Sequence, residues 1–130
     1  MGQQQLLLII LGVIVVGIAV AVGITMFQDN AVSANRDAVT NDLVNLAARA
    51  QQYYRRPTAL GGGQGSFATV ALSHLTSKPS NANGVYTLTS PTLTSVTLTG
   101  VGVETGNDGA TEVEVEMVVY ADSMLTTVIN

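Results

Sequence analysis

Cysteine and tryptophan are absent from this chain, histidine occurs once, proline three times, and charged residues make up only 11%. Without cysteine there is no disulfide to tie a small head together and no thiolate to hold zinc, and the lone His74 leaves no second imidazole for a metal site. Proline is missing before Pro57, so nothing in Gln3 to Arg56 forbids one uninterrupted helix. Charge is missing altogether from Met1 to Gln28, the first formal charge being Asp29. No basic residue precedes the apolar run, which removes the n-region of a cleavable secretory signal. Arg36 is the only basic residue soon after that run, too little for the positive-inside rule to orient the chain.

What is present divides the chain in two. From Leu6 to Phe27 it is almost wholly aliphatic, and as a helix this stretch reaches ~33 Å, enough to cross the hydrocarbon core of a bilayer. A globule of about a hundred residues cannot surround so apolar a rod with partners on every side. The segment therefore belongs in lipid, in the interior of a polymer, or in each by turns. From Asp29 onward no second long apolar run occurs, which makes a single-pass protein with one small head. The net charge of -4 is unevenly placed: Asp29 to Arg56 carries four arginines against three aspartates. Pro57 to Asn130 sets Lys78 against Glu104, Asp108, Glu112, Glu114, Glu116 and Asp122. An acidic head argues against binding a phosphate backbone, so no nucleic-acid partner is expected.

Three divisions follow: residues 1–28 as an apolar membrane or filament-core helix, 29–56 as its amphipathic continuation, and 57–130 as a glycine-rich loop and β head. In the second, Val32, Val39, Leu43, Leu46, Ala50 and Tyr53 recur at spacings of seven, four, three, four and three. They form a stripe to pack on a sheet, with Arg36, Asp37, Asp42 and Arg49 off it. A helix of some fifty residues would be ~75 Å long, so its apolar half should protrude from the head. Gly12, Gly17 and Gly23 interrupt that half. Gly17 with Ala21 and Ala19 with Gly23 are small-xxx-small pairs suited to close helix approach; alternatively the glycines mark where a stressed filament unwinds, or are ordinary for a membrane helix.

Gly61 to Gly65 reads as a flexible connector. It superficially resembles a phosphate loop, but Ser66 stands where that motif needs Lys. Beyond it, period-two alternation predicts strands at Val85 to Ser90, Thr94 to Val103, Thr111 to Tyr120 and Met124 to Ile129. Gly106-Asn107-Asp108-Gly109 and Ala121-Asp122-Ser123 supply the turns between the last three. In the third strand Val113, Val115, Met117 and Val119 should face the helix stripe, with Glu112, Glu114 and Glu116 outward as a solvated face or paired with Arg55 or Arg56 of a neighbouring copy. The expected fold is α+β, a long N-terminal helix on an antiparallel sheet of about four strands.

Candidate chemistry is thin. Ser73 beside His74 is adjacency, not a convergent nucleophile and base, and no supporting elbow motif accompanies it. Glu104, Asn107 and Asp108 lack the spacing of a calcium loop and read better as a turn. Phe27, Tyr53 and Tyr54 are too few for a stacked electron path. No enzyme and no cofactor is expected.

The order of parts, an apolar helix running into an amphipathic half, then a glycine-bearing loop and a small antiparallel sheet, resembles the type IV pilin superfamily, including pseudopilins and archaeal relatives. That family carries a glutamate at the fifth mature position. Cleavage after Gly2 would put Leu7 there, whereas a mature start at Met1 puts Gln5 there, a polar side chain able to accept a hydrogen bond from a neighbour's amino terminus. Val22-Gly23-Ile24 stands where bacterial members commonly have proline, which permits an unbroken helix as in archaeal filaments. The paired cysteines of many pilins are also missing.

The resemblance implies a structural subunit of an extracellular filament, of the kind that serves adhesion and motility. Its implied partners are copies of itself in a helical polymer, the membrane before assembly, and the pilus assembly machinery. Gln5, Leu8, Leu11, Gly12, Val15, Gly17, Ala21, Gly23 and Phe27 would form the assembly core. The sixteen large apolar side chains from Leu6 to Phe27 are worth tens of kcal/mol against water, but lipid already supplies most of that, so packing must select assembly. Threonine-rich strands offer O-glycan sites, and no Asn-x-Ser/Thr sequon is present. A pseudopilin of a secretion system and a single-pass, membrane-anchored binding module are the alternatives.

Overall fold

The computed structural model describes residues 2–130; Met1, the mature start in the register that brings Gln5 to the fifth position, lies outside the described residues. The fold is α+β. Helix α1 (Gly2–Arg55) is followed by a 3-10 turn (Thr58–Leu60), a short helix α2 (Leu72–Leu75) and strands β1 (Gly84–Thr89), β2 (Ser95–Thr105), β3 (Glu112–Tyr120) and β4 (Met124–Val128). The strands form one antiparallel sheet in the order β1-β2-β3-β4. By its internal contacts the chain divides into two units, one ending at Ala31 and one running from Val32 to Asn130.

In the second unit α1 lays one stripe on the sheet. Val39, Leu43, Leu46, Ala47, Ala50 and Tyr53 are buried there, with Val32 half-buried against the same core. The sheet answers with Val96 and Leu98 from β2 and Val113, Val115, Met117 and Val119 from β3, all buried. Alternation assigns the opposite face to Thr97, Thr99 and Val101 on β2 and to Glu112, Glu114 and Glu116 on β3. Register carries these side chains across the sheet in rows, one being Thr87, Thr99, Glu116 and Thr127.

Two glycines of β2 set how near the helix can come. A Cβ on Gly100 would lie 2.6 Å from Val39 Cγ1, and one on Gly102 would run into Asn35 Oδ1. Asn35 itself is buried in the helix stripe and fully engaged. Its Nδ2 donates to the Asn83 carbonyl at 2.9 Å, and its Oδ1 accepts from the backbone N–H of Val103 at 3.0 Å and of Glu104 at 3.3 Å. Those two amides lie where the β2–β3 register shifts between Val101 and Thr105, so the amide side chain satisfies donors that the ladder has released.

The Gly61 to Gly65 stretch is not a flexible connector. α1 ends ahead of Pro57, and the last turn of a helix leaves carbonyls without intrahelical partners. The glycine stretch folds back to supply them: Gly63 N–H donates to the Tyr53 carbonyl at 2.8 Å, Gly65 to Tyr54 at 2.7 Å and Gln64 to Arg56 at 3.0 Å. The segment that follows adds Phe67, Val70 and Leu75 to the core. Sequence periodicity had no means of finding these three, because they belong to no regular element long enough to show a period.

Candidate functional site

Two regions carry the residues of interest. In the first unit, side chains along α1 are exposed, and an 18-residue window of this helix is long and apolar enough to cross a membrane, with none of it buried. Leu8, Leu11, Val15 and Phe27 are exposed at 68, 56, 56 and 76%. Gln5 and Ala21 are exposed as well. A Cβ added at Gly12, Gly17 or Gly23 would meet nothing within 4 Å, so their small size serves no contact within the chain. All three sit inside the helix. Among the described residues of this half the one side-chain hydrogen bond is local, Thr25 Oγ1 to the Ala21 carbonyl at 3.1 Å.

The proposed packing residues of the second unit come together: Val32, Val39, Leu43, Leu46, Ala50 and Tyr53 share one core with Val113, Val115 and Met117. Tyr53 also lies under the segment between α1 and β1. Its hydroxyl is 3.0 Å from Thr69 Oγ1, and its ring stacks on His74 with centroids 5.1 Å apart. His74 is exposed, and its Nδ1 accepts from the Ala71 N–H at 3.1 Å, a local turn bond rather than a catalytic one. Sequence reasoning passed over Asn35 and Ala47. Asn35 had a signal, since it stands four residues before Val39 on the same helix face.

Asp42, read from the sequence as lying off the stripe, is a polar hub. Its Oδ2 accepts from Asn81 and Asn83 Nδ2, each at 3.0 Å, and from the Tyr86 hydroxyl. Burial acts to raise its pKa, but the bonds from Asn83, Tyr86 and Asn81 outweigh it and hold the carboxyl below its ordinary value. Burial, then the hydrogen bond and charge of Asp42, push the Tyr86 phenol above its ordinary range. Beside this hub a cleft of about 410 Å³ is lined by Asn45, Arg49, Thr76, Lys78 and Asn81. Arg49 donates there to the Leu75 carbonyl at 2.7 Å.

The acidic turn after β2 is self-contained. Asp108 accepts from the Thr111 hydroxyl at 2.7 Å, from the Ala110 and Thr111 N–H groups at 2.9 Å each, and from Asn130 Nδ2 at 3.0 Å, which together hold its pKa well below the carboxylate range. Both oxygens are thus occupied by protein donors. Among the described residues no group of three or more His, Cys, Asp or Glu is placed to hold a metal ion. Arg36 is the opposite case: its Nε and Nη2 are buried with no hydrogen-bond partner among the described residues. Comparison with known protein families, with curated proteins and with solved structures finds no match to this chain.

Proposed function

We propose that this chain is the structural subunit of an extracellular, type IV pilus-like filament, assembled by helix bundling from a membrane-anchored pool. The observation that carries the reading is the first half of α1, whose large apolar side chains from Leu6 to Phe27 are all exposed and which has no charge before Asp29. Such a surface needs an apolar surrounding, and a bilayer and a bundle of identical helices are the two that one helix can use in turn. The glycines support the second use. Gly12, Gly17 and Gly23 cost about 1 kcal/mol each in helix propensity and make no packing contact within the chain, which fits close approach of neighbouring helices.

The head supports the reading by composition. Its outer face presents Thr87, Thr99 and Thr127 in one row with Glu116, hydroxyls open to O-linked sugars, between rows that carry Val85, Val101, Val118 and Leu125. Filaments sheared from cells that make the chain, imaged by electron microscopy and identified by mass spectrometry, test the proposal. The expected image places residues 6–27 inside the polymer. A chain that stays a solitary, lipid-bound species in every fraction overturns the filament and leaves a membrane-anchored module.

A further inference from the structure

Lys78, Arg49 and Arg56 line two adjoining clefts that share Arg49, one of about 410 Å³ between α1 and residues 76–81 and one of about 220 Å³ beside His74. Asp42 lines the larger of them and keeps its charge, its Oδ2 accepting from Asn81, Asn83 and Tyr86, so that cleft sets two cations against one anion. Arg49 uses Nη1 on the Leu75 carbonyl, which leaves its other N–H groups for a further acceptor. Lys78 is exposed.

The opposite sign lies on the sheet face turned away from α1. Glu112, Glu114 and Glu116 alternate along β3 at intervals of ~6.8 Å. Their cross-strand neighbours are Thr105, Val101, Thr99 and Thr127, so no cation within the sheet relieves the repulsion among them. Arg49 lies on α1 and Arg56 one residue past its end, where the Arg56 N–H still donates to the Gln52 carbonyl at 3.0 Å, so the two are ~10.5 Å apart along the axis, within the ~13.6 Å reach of the glutamate row.

We propose that the Arg49–Lys78–Arg56 cleft receives the β3 glutamate row of a second copy of this chain. The proposal rests on the filament reading and supplies its contact between heads. Because cleft and row are different surfaces of one unit, each copy offers both, and the contact is heterologous: it propagates from copy to copy instead of closing a two-fold dimer. Multiple charge pairs facing each other set register and exclude other arrangements, while the apolar helices supply adhesion without register.

Charge reversal in the full-length chain tests this. Lys78→Glu alters an exposed side chain that makes no hydrogen bond in the head, and Glu116→Lys alters the row; each is expected to lower the yield of sheared filaments about tenfold with the head's melting temperature unchanged. Combined in one chain, the two are expected to restore the yield to within about threefold of the original. Because the chain has no cysteine, Lys78→Cys with Glu114→Cys should also give a ladder of disulfide-linked multimers in assembled material. Single reversals that assemble normally, a double reversal that restores nothing, or the lack of a ladder overturns the proposal while filaments of the original chain stand. A Lys78→Glu chain that assembles normally but loses binding of inorganic phosphate makes the cleft a small-anion site and also overturns it. If the original chain forms no filaments, the filament reading fails and takes the proposal with it.

Discussion

The two halves of α1 obey the same backbone geometry and meet opposite fates. From Leu6 to Phe27 every large apolar side chain is more than half exposed, whereas Val39, Leu43, Leu46 and Ala50 in the second half are buried. Helix propensity does not decide these fates, since both halves are one continuous helix despite the glycines of the first. What separates them is width: an apolar surface all round needs a continuous surrounding, while a stripe needs one sheet. The first half is therefore specified against a solvent and the second against particular side chains, and substitutions in the two should fail differently.

The sharpest way to break the comparison is a charge in the first half. Val15→Lys puts an ammonium at the middle of the apolar run, at ~2.5–3.5 kcal/mol for a lysine at the centre of a membrane helix. Filaments and membrane retention should both fall steeply, read by fractionation and electron microscopy. The head's thermal unfolding should not change. A filament yield equal to the original would show that residues 6–27 have water or a charge-tolerant surface beside them.

The converse substitution lies in the second half. Leu43 is wholly buried, so Leu43→Ala should destabilise the head by ~2–5 kcal/mol through lost burial and a cavity. Denaturant unfolding followed by far-ultraviolet circular dichroism measures it. Membrane retention should survive, because the first half carries it. Loss of retention in this variant would join what the comparison holds apart.

A smaller effect tests how close the second half lies to its sheet. Gly102→Ala drives a methyl into Asn35 Oδ1 and should cost ~1–3 kcal/mol. Asn35→Ala makes room but leaves the Val103 and Glu104 amides without their acceptor, at a similar ~1–3 kcal/mol. The double variant should be destabilised by less than the sum of the two, a coupling readable in a double-mutant cycle. Strict additivity would mean that the two groups do not meet.

This pair also shows where the sequence was legible. The stripe from Val32 to Tyr53 and the alternation in β3 announce themselves, since burial on one face writes its own period, and the strands lie within two residues of the spans that alternation predicts. The Asp108 turn was legible too, because Gly-Asn-Asp-Gly has few other uses. Asn35 was not. A lone polar residue on an apolar face gains meaning only once a β-bulge frees two amides, 68 and 69 residues later, beneath it. Gly61 to Gly65 misled for a related reason: composition reports freedom of the backbone but not the helix end that takes up that freedom. Likewise, nothing local to Asp42 says that Asn81, Asn83 and Tyr86 will converge on it.

The mildest prediction separates the halves by pH. The first half has no titratable side chain before Asp29, so any side-chain pH dependence of stability must arise later in the chain. Asp42 and Asp108 both have folded pKa values below their ordinary value of 3.8, so the folded state binds fewer protons than the unfolded one on the acid side. Their contribution is fully present above the unfolded pKa and is lost as pH falls through the folded values. Tyr86 works in the other direction: with its folded pKa raised above 10.0, its contribution is whole below that pH and is lost as pH climbs toward the folded value. The head's melting temperature should therefore be level across the neutral range, fall below about pH 4, and fall again above about pH 10. Asp42→Asn should flatten part of the acid limb, and Tyr86→Phe the alkaline one. Each loses hydrogen bonds at neutral pH, so the diagnostic quantity is the slope of each limb and not its height. Helix content of the first half in lipid should stay constant over the same range, and an acid-induced loss there would place a titrating group where the comparison has none.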